Sequence, residues 1–300
     1  MTALRDALAT YLHDWRDDVP AAWLPVLEGV EPALDKVKPH LELREPLERI
    51  HPLRKGHNDS AAPAGSHPFK ALESVLPQDV RVVLVGQDPY PNIANATGRS
   101  FEQGGRTRWE SPPKPKLAIS LQRIVQVLAE HRQPGHAYAS KDAAWIDWLQ
   151  AFTQNKPAMQ LPHELFDHWG QQGVLCLNLG LTLSRFDDKD KDPEGEWVQP
   201  AHMALWTPVV QRILEHLVCR PQQALLLMLW GEPAQDAVDA MGLKALAAAS
   251  GDARRLLEVR KQHPNARANG SSILPFFRPR NPFTLANELL ADEGFSPIDW

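Results

Sequence analysis

The segment that most constrains this fold is an apolar run that ends abruptly in a turn with a carboxylate, Arg81-Val82-Val83-Leu84-Val85-Gly86-Gln87-Asp88-Pro89-Tyr90. A run rich in β-branched residues, without polar alternation, is typical of a strand buried on both faces of a parallel sheet. In open α/β sheets, ligands bind in the crevice beyond the carboxyl ends of the strands. The sequence therefore predicts that Asp88 lies where a ligand binds.

The same pattern recurs along the chain. Further strands are predicted from the apolar runs at 174–177, 224–229 and 256–259. Helices are predicted from the apolar spacing over 117–131, 201–218 and 233–249. Because strands that alternate with helices favour a parallel sheet with helices on both faces, we predict an α/β fold. We predict that residues 1–300 form a single domain, with a central four-stranded, twisted parallel sheet flanked by helices.

Two regions lie outside this pattern. The N-terminal part, 1–70, is predicted to hold two helices within 4–36 and an extended loop at 51–68, which is rich in proline, glycine and serine. Residues 132–172 are interrupted by prolines and are predicted to form an elaborated helical connection.

Composition limits the class of protein. Of the 300 residues 43% are hydrophobic, and the net charge is −5, which does not indicate a nucleic-acid binder, although a global count does not describe one face. The two cysteines, Cys176 and Cys219, lack metal-ligand or redox spacing, which favours a reduced compartment. The segment from Met1 is polar and lacks the apolar core of a signal peptide, and no apolar run in the sequence approaches transmembrane length. We therefore expect a cytoplasmic protein that does not enter a membrane.

The predicted strand ends carry polar groups. Asp88, Asn178, Trp230-Gly231 and His263 each follow a strand, and Phe101 follows a turn. A carboxylate can activate water, a histidine can donate to a developing oxyanion, and an asparagine amide complements a pyrimidine-like edge. Singly, each residue is explained as well by a turn, a buried loop contact or surface exposure. Together, they predict one site at the carboxyl edge of the sheet.

Several motifs resemble, in order, those of the family 1 uracil-DNA glycosylases. The first is 86–90 with Ala96, Gly98 and Phe101, which is similar to the family's water-activating motif. The others are 169–178 with Leu181-Thr182, Leu229-Trp230-Gly231 with Ala234-Gln235, His263-Pro264, and 283–290 with the tail 297–300. The similarity runs from about residue 70 to the last residue, and five motifs in sequence order make it specific.

The resemblance implies hydrolysis of the N-glycosidic bond of deoxyuridine after base flipping, without a metal or cofactor. By this resemblance Asp88 positions the attacking water, and His263 donates to uracil O2. Asn178 reads the O4 and N3 edge and rejects cytosine, whose amine reverses the donor pattern. Phe101 stacks on the ring. Tyr90 excludes the thymine methyl group, and the backbone around Gln87 forms part of the pocket wall.

The resemblance also implies single- or double-stranded uracil-containing DNA as the partner of a monomer, with a proteinaceous inhibitor as a further partner that it allows. Lys116, Ser120, Asn265 and Arg267 are the predicted DNA contacts. Further phosphate contacts are predicted at Lys114, Arg278 and Arg280, each explained equally well as solvated surface charge.

Two sequence departures bear on this comparison. Pro91 replaces a frequent histidine. Arg267 stands where a leucine wedge is expected, so either Arg267 or the apolar Ile273 or Leu274 enters the DNA stack.

Three hypotheses follow from the residues. The leading one is a monofunctional uracil-DNA glycosylase. The second is a glycosylase fold retained as a DNA-binding or protein-interaction module with weak or no catalysis, which the altered loops and the acidic charge motivate. The third is a changed lesion range that favours single strands because the wedge is altered. The intact set of pocket residues favours the enzyme.

Overall fold

The computed structural model describes residues 2–44, 48–57, 59–109, 117–132, 134, 159–187, 197–221, 223–251, 255–266 and 276–300. The chain divides into two compact units, each assembled from three segments. Unit 1 consists of Met1–Asp79, Gly86–Gly104 and Cys176–Arg220. Unit 2 consists of Val80–Val85, Gly105–Leu175 and Pro221–Trp300.

From Val82 onward, strands of the described chain are separated by one or two helices. The strands are β1 Thr2–Ala3, β2 Glu42–Leu43, β3 Val82–Gly86, β4 Val174–Asn178, β5 Leu225–Trp230 and β6 Leu256–Lys261. The helices are α1 Leu4–Tyr11, α2 Ile119–Arg132, α3 Pro162–Gln171, α4 Gln199–Val218, α5 Glu232–Ala240, α6 Leu243–Ala249 and α7 Pro282–Asp292.

The central sheet has four strands in the order β4-β3-β5-β6. β3 pairs with β5, and β5 with β6, in parallel register. Every residue of β3, β4 and β5 is buried, as expected for apolar runs covered on both faces. The predicted α/β class and four-stranded parallel sheet are therefore confirmed, while the single domain over 1–300 stays a prediction.

Unit 1 is held together by aromatic packing and by the contacts of the partly buried Arg54. The rings of Trp15 and Phe69 stack at 5.5 Å, and Trp206 meets both rings edge-on. Arg54 forms an ion pair with the buried Asp18 and donates to the carbonyl groups of Tyr11, the last residue of α1, and Asp14. The described residues of 51–68 form no helix or strand, as predicted for a loop, and Arg54 anchors the start of this loop.

Unit 2 has an aromatic core that closes on the C-terminal tail. Trp169, Phe283 and Trp300 contact one another, with ring centroids 4.9 to 5.8 Å apart. The side chain of Asn287 donates to the carbonyl of Ile298 at 2.9 Å and accepts from its N–H at 2.8 Å. The C-terminal tail is therefore held to α7 by the side-chain amide of Asn287, and the indole of Trp300 packs into the aromatic core.

Two predicted helices differ in the structure. The second helix within 4–36 is wrong: short 3₁₀ turns occur there, because Pro20, Pro25 and Pro32 interrupt the backbone hydrogen bonds. The single helix over 233–249 is also wrong, since Gly242 adopts a φ of 67° and separates α5 from α6.

Two further predictions are answered in part. The connection at 132–172 is helical over α3, while 135–158 lies outside the described residues. Among the helices that the structure describes, none has the length and apolar character needed to span a bilayer.

Candidate active site

Asp88 lies just beyond the carboxyl end of β3, where its carboxylate is largely enclosed. Its Oδ2 accepts a hydrogen bond from Nε2 of Gln199, at the start of α4. Its Oδ1 is buried, and among the described residues it has no hydrogen-bond partner. Burial raises the pKa of Asp88 to about 7, and the Gln199 hydrogen bond opposes that rise. A carboxyl group with this pKa can accept a proton near neutral pH.

The turn after β4 lies directly against Asp88. Gly180 donates its N–H to the carbonyl of Gln87 at 2.8 Å. A Cβ at position 180 would lie 2.8 Å from Asp88 Oδ1, which is too close for a real contact. Glycine at position 180 therefore lets the turn approach the carboxylate without displacing it. The Gln87 carbonyl thus supports this turn, while its part in the pocket wall stays a prediction.

Asn178 ends β4 with its side chain against β3. The residue is 1% exposed, and its Oδ1 is buried without a hydrogen-bond partner among the described residues. A Cβ at Gly86 would lie 2.4 Å from this Oδ1, so only glycine fits opposite the amide. Because buried polar groups are normally hydrogen-bonded, an unpaired amide oxygen is a group prepared for a ligand.

Phe101 and Tyr90 support each other. Phe101 has a φ of 61°, a left-handed conformation that is uncommon for a bulky residue. The Tyr90 hydroxyl donates to the Phe101 carbonyl at 3.2 Å, and the preceding N–H of Ser100 donates to Cys176 in β4 at 3.0 Å. Nε2 of His51 lies 3.1 Å from the Tyr90 carbonyl. These contacts fix both aromatic residues beside the ends of the strands.

His263 belongs to unit 2 and follows β6. Its Nδ1 accepts the backbone N–H of Asn265 at 3.2 Å, so the proton of the neutral ring is on Nε2. Part of the residue is exposed, yet neighbouring protein atoms remove enough water from the ring to lower its pKa. Gly231, with a φ of 105°, contacts it: a Cβ there would lie 3.1 Å from the His263 Cβ. Neutral His263 is therefore an N–H donor.

The predicted DNA contacts are located only in part. Ser120 is buried in the first turn of α2, and Asn265 is exposed beside His263. Lys114, Lys116, Arg267, Ile273 and Leu274 lie outside the described residues. Arg278 pairs with Glu130 at 3.1 Å, and Arg280 pairs with Glu288 at 2.6 Å.

Sequence reasoning missed three residues that shape this site: Gln199, Gly180 and His51. Nothing in the sequence around Gln199 distinguishes it, since it stands at the start of a helix, far along the chain from Asp88. The strand-turn position of Gly180 could have been found, because the turn follows Asn178 directly. Among the described residues, no group of three or more His, Cys, Asp or Glu side chains could hold a metal ion.

No family model matches the chain. It is 30% identical over 286 residues to a uracil-DNA glycosylase from Bordetella avium, and the match covers 94% of this chain and 87% of that protein. A uracil-DNA glycosylase from Varicella-zoster virus is 30% identical over 226 residues, which are 75% of this chain and 54% of the viral protein. The chain thus spans about half of the viral relative.

Solved structures share the fold. A mutant of UNG from Nitratifractor salsuginis has a TM-score of 0.57 at 19% identity, over 95% of this chain and 97% of that one. A mutant of mimivirus UNG in complex with UGI has a TM-score of 0.57 at 16% identity, over all of this chain and 95% of that one. At these identities, the likeness shows the architecture alone.

Proposed function

Since this chain belongs to the uracil-DNA glycosylase family, we propose that it hydrolyses the N-glycosidic bond of deoxyuridine in DNA after flipping the nucleotide, and so initiates base-excision repair. The bond between deoxyribose C1′ and uracil N1 breaks, and its electron pair leaves with uracil. A water oxygen then bonds to C1′ and loses a proton to Asp88, and the uracil anion takes up one proton from solvent, which balances the proton that Asp88 later releases. The products are free uracil and an abasic site, so the enzyme is monofunctional.

Asp88 is the proposed acceptor of the water proton. Ionised, it stabilises the positive charge that develops on the sugar as the bond breaks, and its Oδ1 accepts no hydrogen bond from the described residues. Because burial raises its pKa to about 7, the active carboxylate form is lost as the pH falls below neutral. Uracil release should therefore decline on the acid side.

Asn178, Tyr90 and Phe101 are the proposed recognition residues. The buried amide of Asn178 would pair with the O4 acceptor and the N3–H donor of uracil. Cytosine has a donor amine at C4 and an acceptor at N3, so its pattern is reversed and would not match the amide. The Tyr90 ring would occupy the space of a thymine methyl group, and Phe101 would stack on the base. Their support is the crowding at Gly86 and the Tyr90–Phe101 hydrogen bond.

His263 is proposed to donate from Nε2 to uracil O2. The Asn265 N–H donates to Nδ1, and the lowered pKa favours the neutral ring, so the ring proton is on Nε2. An N–H donor held in place stabilises the negative charge that develops on the leaving base.

The finer assignments are also proposals. Family 1 is supported by the motif order, and uracil-containing DNA of either strandedness is the substrate, contacted by Lys116, Ser120, Asn265 and Arg267. The enzyme would act as a cytoplasmic monomer. A protein inhibitor as a partner is supported by the mimivirus complex with UGI.

The observation that best supports this function is that unit 1 brings together the Asp88 carboxylate and the Asn178 amide, each with a buried oxygen, near Tyr90 and Phe101. Gly180 and Gly86 lie so close to these two oxygens that a Cβ would crowd them. Single-turnover assays on single- and double-stranded DNA containing uracil test it, with alkali cleavage as the readout. Asp88→Asn should slow release by about 10³-fold, the range of positioned acid–base groups. Asp236→Asn, an exposed change on α5, is the matched control.

Absence of alkali-labile sites with excess wild-type enzyme would refute the proposal. If the wild type releases no uracil, and DNA binding persists in both Asp88→Asn and His263→Ala, the result would instead support a binding module.

Arg267→Ala, assayed on duplex and single-stranded DNA, tests whether Arg267 is the wedge, because an intercalating residue matters only where bases are stacked.

A further inference from the structure

The chain around Asp88 offers few hydrogen-bond donors of its own. Pro89 follows it directly and Pro91 follows Tyr90, and neither proline has an N–H. The donor to Asp88 comes instead from Gln199, which is 111 positions away in sequence and 8% exposed. A carboxylate on a short side chain can rotate, so a donor on one oxygen fixes the direction of the other.

We propose that Gln199 is a positioning residue for the reaction, because its amide fixes the rotation of the Asp88 carboxylate and leaves Oδ1 as the oxygen that receives the water proton. This role deepens the proposed glycosylase function and depends on it. Gln199 does not touch the substrate in this proposal. It acts through Asp88 alone.

Gln199 is itself held rigidly. Asp187 caps the start of α4 by accepting the N–H groups of Val198 and Gln199, the latter at 2.8 Å. Arg185 donates to Asp187 at 2.9 Å and to Glu48 at 3.2 Å. These ion pairs are largely buried. A continuous set of polar contacts therefore runs from Glu48 to the catalytic carboxylate.

The next turn of α4 is fixed by a second network. His202 bonds to Thr182 and Ser184, each at 2.9 Å, and Trp206 donates to Thr182 at 2.7 Å. Burial lowers the pKa of His202 to about 3, so this ring is neutral at any working pH. The helix that carries Gln199 is thus locked to the turn after β4, which also contacts Asp88 through Gly180.

The titratable groups on the surrounding elements do not compete with Gln199 for control of Asp88. Asp187 is neutralised by Arg185, His202 is uncharged, Tyr90 donates to Phe101, and His51 lies against the Tyr90 carbonyl. Within the part of the chain that the structure describes, burial and the Gln199 hydrogen bond are the two influences on the pKa of Asp88. Loss of the donor should therefore raise that pKa.

The test compares Gln199→Met, which keeps the length and removes the donor, with Gln199→Glu, which places a second carboxyl group beside Asp88. The acid limb of the pH profile for single-turnover uracil release should move upward by about one pH unit in Gln199→Met, as expected for one hydrogen bond to a charged group. The rate below that limb should fall about tenfold and recover at higher pH. Gln199→Glu should shift the limb further.

Gln211→Met is the matched control, because Gln211 lies on the same helix and bonds to Glu215. Its profile should equal that of the wild type. An unshifted limb in Gln199→Met, whether the rate is normal or uniformly low at every pH, overturns the proposal. A uniformly low rate with a lower melting temperature would indicate a merely structural role.

A second measurement does not depend on activity. The titration of the Asp88 carboxyl carbon, followed by NMR in the free protein, should have a higher midpoint in Gln199→Met than in the wild type. If the wild type releases no uracil but this shift is seen, the glycosylase function fails while the control of Asp88 by Gln199 stands. If release is normal and the midpoint does not move, the positioning role fails alone.

Discussion

At the scale of single residues, two glycines determine where the Asp88 carboxylate and the Asn178 amide can lie. Gly86 leaves room for the Asn178 amide, and Gly180 leaves room for the Asp88 carboxylate. In both places an added methyl group would occupy the volume of a functional oxygen atom. The site thus depends on the absence of two side chains as much as on the presence of others.

Gly180→Ala should therefore impair the reaction with little change in fold. Its Cβ would lie 2.8 Å from Asp88 Oδ1, so the carboxylate must move. A displacement near 1 Å can cost about 10²-fold in rate, and we expect a loss of that order in single-turnover release. Gly104→Ala, which crowds the Pro63 ring at 2.2 Å, controls for crowding in general. Equal losses in both variants would contradict the prediction.

Tyr90→Ala should broaden the specificity. Removal of the ring opens the space proposed to exclude the thymine methyl group, so thymine release from ordinary DNA should become measurable while uracil release slows. Tyr90→Phe keeps the ring and loses the 3.2 Å hydrogen bond to the Phe101 carbonyl, and it should still reject thymine. Free bases separated by chromatography after long incubation report both outcomes. Thymine release by Tyr90→Phe would argue against exclusion by the ring.

At the scale of elements, the predictions succeeded where one physical signal dominated. Apolar runs located β3 to β6 to within two residues, because burial on both faces leaves few alternatives. The helix predictions failed where prolines or a glycine interrupted a segment with helical apolar spacing, as with the prolines after α1 and with Gly242 between α5 and α6. Helical spacing alone does not show whether a breaker will end a helix or be tolerated within it.

The candidate site shows the same division. Asp88 and Asn178 were predictable because strand ends lie at one edge of a parallel sheet. Gln199 was not, since its hydrogen bond joins positions 111 residues apart, and one sequence does not record such pairings. His51 was missed for a related reason: it opens a breaker-rich loop, where the sequence predicts the absence of regular structure but not the contact with Tyr90.

The loop at 51–68 offers a test of one such long-range anchor. Arg54→Met leaves the carboxylate of Asp18, which is 4% exposed, without its ion-pair partner. Removing one member of a buried pair costs about 3 kcal/mol in the free energy of unfolding, measurable by urea denaturation. Lys36→Met breaks an exposed contact to Asp35 and should cost less than about 1 kcal/mol. Similar costs would show that Arg54 does not anchor the loop.

At the scale of the whole molecule, Asp88 couples function to stability. Its pKa is about 7 in the folded protein and 3.8 for the ordinary group, so the folded state binds the proton more tightly. The stability that this proton contributes is complete below the ordinary pKa and is lost as the pH rises through the folded value. Near neutral pH the native protein therefore carries a carboxylate that lowers its stability, and the reaction requires that same charged form.

Asp88→Asn removes this burden together with the activity. The asparagine can still accept from Gln199 but never ionises, so we expect a melting temperature above that of the wild type. The difference in the free energy of unfolding should be below about 1 kcal/mol near pH 4 and should grow to about 4 kcal/mol at pH 8, from about 1.4 kcal/mol for each unit of the pKa shift from 3.8 to about 7. Asp236→Asn, on the exposed face of α5, should show no such growth. A variant less stable than the wild type at pH 8, or a difference independent of pH, would mean that Asp88 is ionised at little cost and that burial does not set its proton affinity.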